Sequence, residues 1–161
     1  TKWSHEEIAR RMVELAPDDS VRDRIVPHVV SEAYATVLPT IYPFPEQIHF
    51  NRAMVYSHAN QIEEALKELR RAVGLKPRYY RAHFEMAGLL TELRRNDEAL
   101  LAFVAAEPGY TKDPEFHFRY GSALARSGDK SLAQRELRKA MELAPGSEIA
   151  AQAGELLGTL G

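Results

Sequence analysis

The dipeptide His-Phe occurs three times, at His49-Phe50, His83-Phe84 and His117-Phe118. The intervals, 83 minus 49 and 117 minus 83, are both 34 residues. The flanking phrases are also alike: IHFNRAMVY, AHFEMAGLL and FHFRYGSAL. A fixed period of this size marks stacked supersecondary units, each too small to bury its apolar face alone. The period restricts the chain to a repeat array before any single side chain is interpreted.

Three segments align without a gap: Glu46 to Tyr79, Tyr80 to Asp113 and Pro114 to Ser147. Each holds an apolar-periodic run, a polar break and a second run. The breaks, HANQIEE, RRNDEA and SGDKSLA, carry the Asn, Asp and Gly that stop one helix and start another. Each unit is therefore a helix, a tight turn and a helix, and the fold class is all-α. Small residues recur where paired helices approach: Ala53, Ala87 and Gly121; Ala65, Ala99 and Ala133; Ala72, Ala106 and Ala140. Large ones sit between them: Tyr56, Leu90 and Leu124, then Leu69, Phe103 and Leu137. Alternation of large and small is how helical layers interdigitate. Pro77 and Pro145 close the first and third units, because proline cannot continue a helix. The second unit has Thr111 there, within EPGYTKDP. Its second helix is expected to end early, near Glu107, with a looser connection.

This framework and its period resemble the tetratricopeptide repeat family over residues 46–147. The resemblance implies a right-handed helical-hairpin solenoid whose first helices line a concave groove. The family's groove positions fall here on Gln47, Phe50, Asn51, Met54 and Ser57; on Arg81, Phe84, Glu85, Gly88 and Thr91; and on Glu115, Phe118, Arg119, Ser122 and Ala125. Phe50, Phe84 and Phe118 would form an aromatic ladder for apolar side chains of a bound peptide, or else pack between helices. One subclass grips the terminal carboxylate of a chaperone tail with Lys, Asn and Arg. Phenylalanine stands here where that clamp would start with Lys, so a chaperone-tail adaptor is not expected. His49, His83 and His117 also depart from the family, which usually has a large apolar residue there.

Beyond Pro145, Ile149, Ala153, Leu156, Leu157 and Leu160 have helical spacing, and Ser147 suits an N-cap. Residues 148–161 are read as a capping helix over the last repeat. Residues 1–45 are read as an N-terminal helical segment, a truncated or degenerate repeat. HEEIARRMVELAPDD there is similar to ELRKAMELAPGS near the other end. A chain that opens on Thr1 reads as a processed protein or an excised piece. An incomplete repeat would expose an apolar edge that a second copy could cover, giving a homo-oligomer.

Charge and composition narrow the function classes. With 21 Lys and Arg against 23 Asp and Glu, the formal charge is −2, which argues against a nucleic-acid partner. There is no long apolar run, so membrane insertion is not expected. Cysteine is absent, which excludes disulfides and thiolate chemistry. The histidine row does not suit a metal, because packed helices sit ~8–10 Å apart while zinc–nitrogen bonds are ~2 Å. The expected role of those rings is packing, with one nitrogen hydrogen-bonded, and no carboxylate sits beside the same face in each repeat. No cofactor is expected, and no nucleophile–base pair, phosphate loop or metal motif points to an enzyme. A local basic cluster, Lys67, Arg70, Arg71, Lys76, Arg78 and Arg81, is either a solvated face shared with Glu63, Glu64 and Glu68 or a patch for an acidic partner. Within it, Arg70, Arg71 and Arg78 are the candidate contacts. Cytoplasm is the default compartment, and periplasm the alternative should Thr1 follow a removed targeting segment. The functional expectation is a protein-interaction module that binds a peptide or helical segment of a partner. The alternative is a self-associating or regulatory fragment of a larger protein, such as a multidomain enzyme.

Overall fold

The computed structural model describes residues 45–161. These hold seven α-helices and one 3-10 turn, with no strand among the described residues. They fall into two compact units, one extending through Lys76 and one running from Pro77 to Gly161. The expectations for residues 1–44, including the edge for a second copy, lie outside the described residues.

The first unit contains a hairpin of α1 (Pro45–His58) and α2 (Ile62–Leu75). Proline at the first helical position suits α1, since that N–H has no intrahelical partner. Along α2, Ala65, Leu66, Leu69 and Ala72 are fully buried, while Glu63, Glu64, Lys67 and Arg70 are exposed. The 3.6-residue period therefore separates a packed face from a solvated one.

The second unit contains α3 (Tyr80–Glu92), α4 (Asn96–Ala106), a 3-10 turn (Glu107–Gly109), α5 (Pro114–Ser127), α6 (Lys130–Leu143) and α7 (Glu148–Leu160). The hairpins pair α3 with α4 and α5 with α6, and α7 packs on α6. Ala87, Ala99, Ala106, Ala133 and Ala140 are all fully buried, as the small-residue pattern predicts. Gly121 marks a close approach of α5 to α6. A Cβ there would sit 2.8 Å from Leu137 Cγ and 3.2 Å from the Ala133 carbonyl oxygen. The side chain of Ser147 caps α7 by accepting from the Ala150 N–H. Ile149, Leu156, Leu157 and Leu160 then close over a cluster of Leu137, Ala140 and Ala153.

The three hairpin turns share one backbone solution. Asn60, Arg94 and Gly128 occupy equivalent positions and all have positive φ, at 57°, 56° and 92°. The next N–H in each case reaches back to the same helical carbonyl: Gln61 to Tyr56 at 2.8 Å, Arg95 to Leu90 at 2.9 Å and Asp129 to Leu124 at 3.1 Å. This six-to-one bond is the Schellman closure, which satisfies carbonyls that the helix end would orphan.

The connection after α4 differs from its expectation. The helix does end early, at Ala106, but the segment between α4 and α5 is packed rather than loose. Its Tyr110 ring lies 5.5 Å from Phe116 in a stacked pair and 4.7 Å from Phe84. With Phe103 and Tyr120 these rings form one aromatic cluster. Offset and edge contacts of this kind favour packing beyond burial alone.

Candidate functional site

Two histidines of the row, His49 and His117, are tied to the second helices by carboxylates, while His83 is not, so no carboxylate lies beside the row in every repeat. In the first unit His49 Nδ1 donates to Glu68 Oε2 at 2.7 Å. Arg71 and Arg52 also reach that carboxylate, at 2.6 and 3.4 Å. In the second unit His117 Nδ1 donates to Glu136 Oε2 at 2.7 Å, and Arg135 holds the other oxygen at 2.8 Å. Both partners of that pair are buried, at 0% and 2% exposure. The other ring nitrogen of His117 faces the Thr111 carbonyl at 3.2 Å, so both nitrogens are used rather than one. The middle repeat has Ala102 where the others have Glu68 and Glu136. There His83 keeps only the loop contact, from Nε2 to the Pro77 carbonyl at 2.9 Å. A signal for the pairs exists in the sequence: in both, histidine and glutamate are 19 residues apart. Among the described residues no group of three His, Asp or Glu side chains is arranged to hold a metal ion.

The phenylalanines are unequal. Phe50 is 2% exposed, which corrects its expected place as an open rung of a ladder; its ring is a packing element. Phe84 is half-buried, within 4.7–6.2 Å of Tyr110, Phe116 and Phe103. Phe118 is half-buried against the cluster that α7 covers. Phe50 is thus a packing residue, while Phe84 and Phe118 each keep part of the ring exposed.

The polar groove positions are more open. In the first unit Asn51 is exposed, with its Oδ1 accepting from Gln47 at 3.1 Å, and Met54 is half-buried. In the second unit Arg81 is exposed, and Glu85, Arg119 and Ser122 are half-buried. Ser122 turns its hydroxyl inward, donating to the Phe118 carbonyl at 2.8 Å. The structure brings Phe84 and Arg119 together, with the guanidinium carbon 4.9 Å from the ring centroid. An open hollow of about 460 Å³ lies further along the same helices, lined by Thr91, Glu92, Arg94, Asn96 and Arg126.

The basic residues divide between the units. Arg70 and Arg71 are exposed in the first, where Arg71 is engaged by Glu68, and Arg78 is exposed in the second. Two tyrosines are electrostatically perturbed. Burial, then the charge of Glu85, pushes the Tyr110 phenol above its ordinary value. Burial, then Glu107 and Glu136, does the same at Tyr120.

The described residues form an all-α, helical-hairpin repeat fold. More particularly, residues 46–79 and 114–147 match the model of the tetratricopeptide repeat family. Solved structures share the fold. A tetratricopeptide repeat protein from Parabacteroides merdae superposes with a TM-score of 0.80 at 16% identity, covering 96% of this chain and 59% of that one. A double mutant of MamA (RS-1) gives 0.76 at 13% identity, covering 96% and 80%. The Yersinia enterocolitica type III secretion chaperone SycD, in complex with a peptide of the translocator YopD, gives 0.64 at 18% identity, covering 71% and 90%. Comparison with curated protein sequences finds no match. No helix among the described residues is long and apolar enough to cross a membrane.

Proposed function

We propose that this chain is a protein-interaction module that takes a peptide or helical segment of a partner on its first-helix face. The observation that carries the reading is a contrast within the repeat. Framework positions are the same small residues and are buried alike. The face positions differ: Gln47, Arg81 and Glu115 are equivalent, as are Asn51, Glu85 and Arg119. Packing accounts for the first set. A patterned, partly exposed row of polar side chains is what recognition of a particular segment needs. The peptide held by SycD supports the reading, because a similar fold there binds one.

Phe50 and the inner part of Phe84 contribute rigidity under this reading. Contact with the partner falls to Asn51, Met54, Arg81, Glu85, the open edge of Phe118, Arg119 and Ser122. Its test is a display selection of 16-residue peptides on the folded chain, followed by amide NMR titration with a selected peptide. Shifts gathered on α1, α3 and α5 support the reading. Shifts confined to the second helices, or to Arg70, Arg71 and Arg78, would move the site to the basic patch.

A further inference from the structure

We propose that the hollow at the turn end of α3 and α5 is a phosphate-monoester site, with Arg94 and Arg126 as its two cationic contacts. The site lies beyond the segment contacts named above and does not depend on them.

The hollow, about 460 Å³, is lined by Thr91 and Glu92 at the end of α3, Arg94 in the turn, Asn96 at the start of α4 and Arg126 in the last turn of α5. Arg94 is the unexpected member. Its φ of 56° is left-handed, and the equivalent turn residues are Asn60 and Gly128. Glycine enters that region freely and asparagine with local hydrogen bonding, whereas an arginine there is strained. The closing bond, from the Arg95 N–H to the Leu90 carbonyl, requires no side chain at position 94. Turn geometry therefore does not account for the arginine. Strain kept at a non-glycine residue points to a use for its side chain.

Neither guanidinium is neutralised. Arg71, Arg95 and Arg135 each have a glutamate oxygen at 2.6–2.8 Å. Arg94 and Arg126 make no ion pair among the described residues, although Glu92 lines the same hollow. Two cations against one carboxylate leave the hollow net positive. A phosphate monoester carries about −1.5 to −2 charges at neutral pH and three acceptor oxygens, enough to bond both guanidinium forks at once. A carboxylate, with one charge and two oxygens, matches a single fork. Asn96 adds an amide donor and opens α4, whose cap residue Arg95 offers the first-turn N–H groups no side-chain acceptor. By contrast α5, α6 and α7 are capped by Asp113, Asp129 and Ser147. Uncapped amides at a helix start add to the attraction for an anion.

The test is an amide NMR titration of the full chain at constant ionic strength and about pH 7.5, where the monoester is mostly dianionic. The probes are inorganic phosphate, N-acetyl-O-phosphoserine N-methylamide and acetate. Both phosphates should give saturating shifts at Thr91, Arg94, Asn96 and Arg126 and bind about tenfold more tightly than acetate. A phosphoserine derivative that outbinds inorganic phosphate assigns the source to a phosphorylated side chain, and equal affinities assign it to free phosphate. Arg94→Gly is the decisive variant. It should melt no lower than wild type, because glycine relieves the turn, yet bind either phosphate about tenfold more weakly. Arg126→Gln should lose a similar factor, and Glu92→Gln should tighten binding. Arg138→Gln, which alters an exposed arginine of α6 outside the lining, should change nothing. Shifts that never saturate, an equal response to acetate, or wild-type affinity in Arg94→Gly would overturn the site. Phosphate binding here with no peptide mapping to α1, α3 and α5 would keep the site and remove the interaction reading alone.

Discussion

His117 donates to Glu136 across the α5–α6 hairpin at 2.7 Å, with both side chains buried. Removing one partner of such a pair leaves the other desolvated and unmatched, whereas removing both leaves no orphan. Glu136→Ala should therefore destabilise the chain by about 3 kcal/mol. The double change His117→Leu/Glu136→Ala should cost less than Glu136→Ala alone. Urea unfolding midpoints of the singles and the double decide the matter, and strictly additive losses would refute it. The middle repeat shows the precedent, for its hairpin is built with Ala102 in that place.

Arg94 has the left-handed conformation that Gly128 has at the equivalent turn, with φ of 56° and 92°. A side chain with a Cβ is strained in that geometry, and glycine is not. Arg94→Gly should raise stability by about 0.5–1 kcal/mol. Thermal melting of the two proteins checks this, and a lowered midpoint would contradict it.

Phe50→Ala should destabilise by about 3 kcal/mol or more, since it empties a buried ring site. The ring is only 2% exposed, so its loss belongs to folding rather than to contact with a partner. A variant lacking Phe50 that unfolds at the same denaturant concentration as wild type would restore the open-ladder picture.

The outward face of α4 differs from its counterparts. Leu101 and Val104 are 72% and 54% exposed, where the third repeat has Arg135 and Arg138 and the first has Lys67 and Arg70. Leu101→Arg/Val104→Arg should change stability by no more than about 0.5 kcal/mol per site, because neither side chain is packed. Chemical denaturation measures it directly.

Tyr120 provides a pH prediction. Burial and the neighbouring glutamates raise its phenol above the usual tyrosine value, about 10. A raised pKa means that the folded chain holds the proton where the unfolded chain has lost it. Its contribution is complete below the unfolded pKa and is lost as pH rises through the folded one. Tyr110 acts in the same direction. Stability should fall above about pH 10, and Tyr120→Phe should flatten part of that fall. Urea midpoints at pH 8 and in the alkaline range test it. Equal slopes for the two proteins would remove Tyr120 as a cause.

The hairpins, their turns and the closing helix are legible in the sequence because each rests on a local rule. Period, small residues and Ser147 all act within a few turns of chain. The His–Glu pairs are not visible along the histidine row itself. The bond runs across the hairpin, from position 117 to 136, and only pairing the two rows shows it. Periodicity places Phe50, Phe84 and Phe118 on equivalent faces, but does not decide what covers each ring. That depends on neighbours such as Tyr110, which is distant from Phe84 in sequence. Proline and glycine in EPGYTKDP announce a turn correctly. They do not announce that its tyrosine completes an aromatic cluster.

The left-handed turns at Asn60, Arg94 and Gly128 give every hairpin the same internal hinge. Such a chain is written in interchangeable words. An in-frame duplication of residues 114–147 would lengthen it by one unit without inventing a new bend. Length is therefore open to adjustment in whole hairpins, each bringing its own face residues. Recognition can then change by adding or exchanging a word, while the grammar of the backbone stays the same.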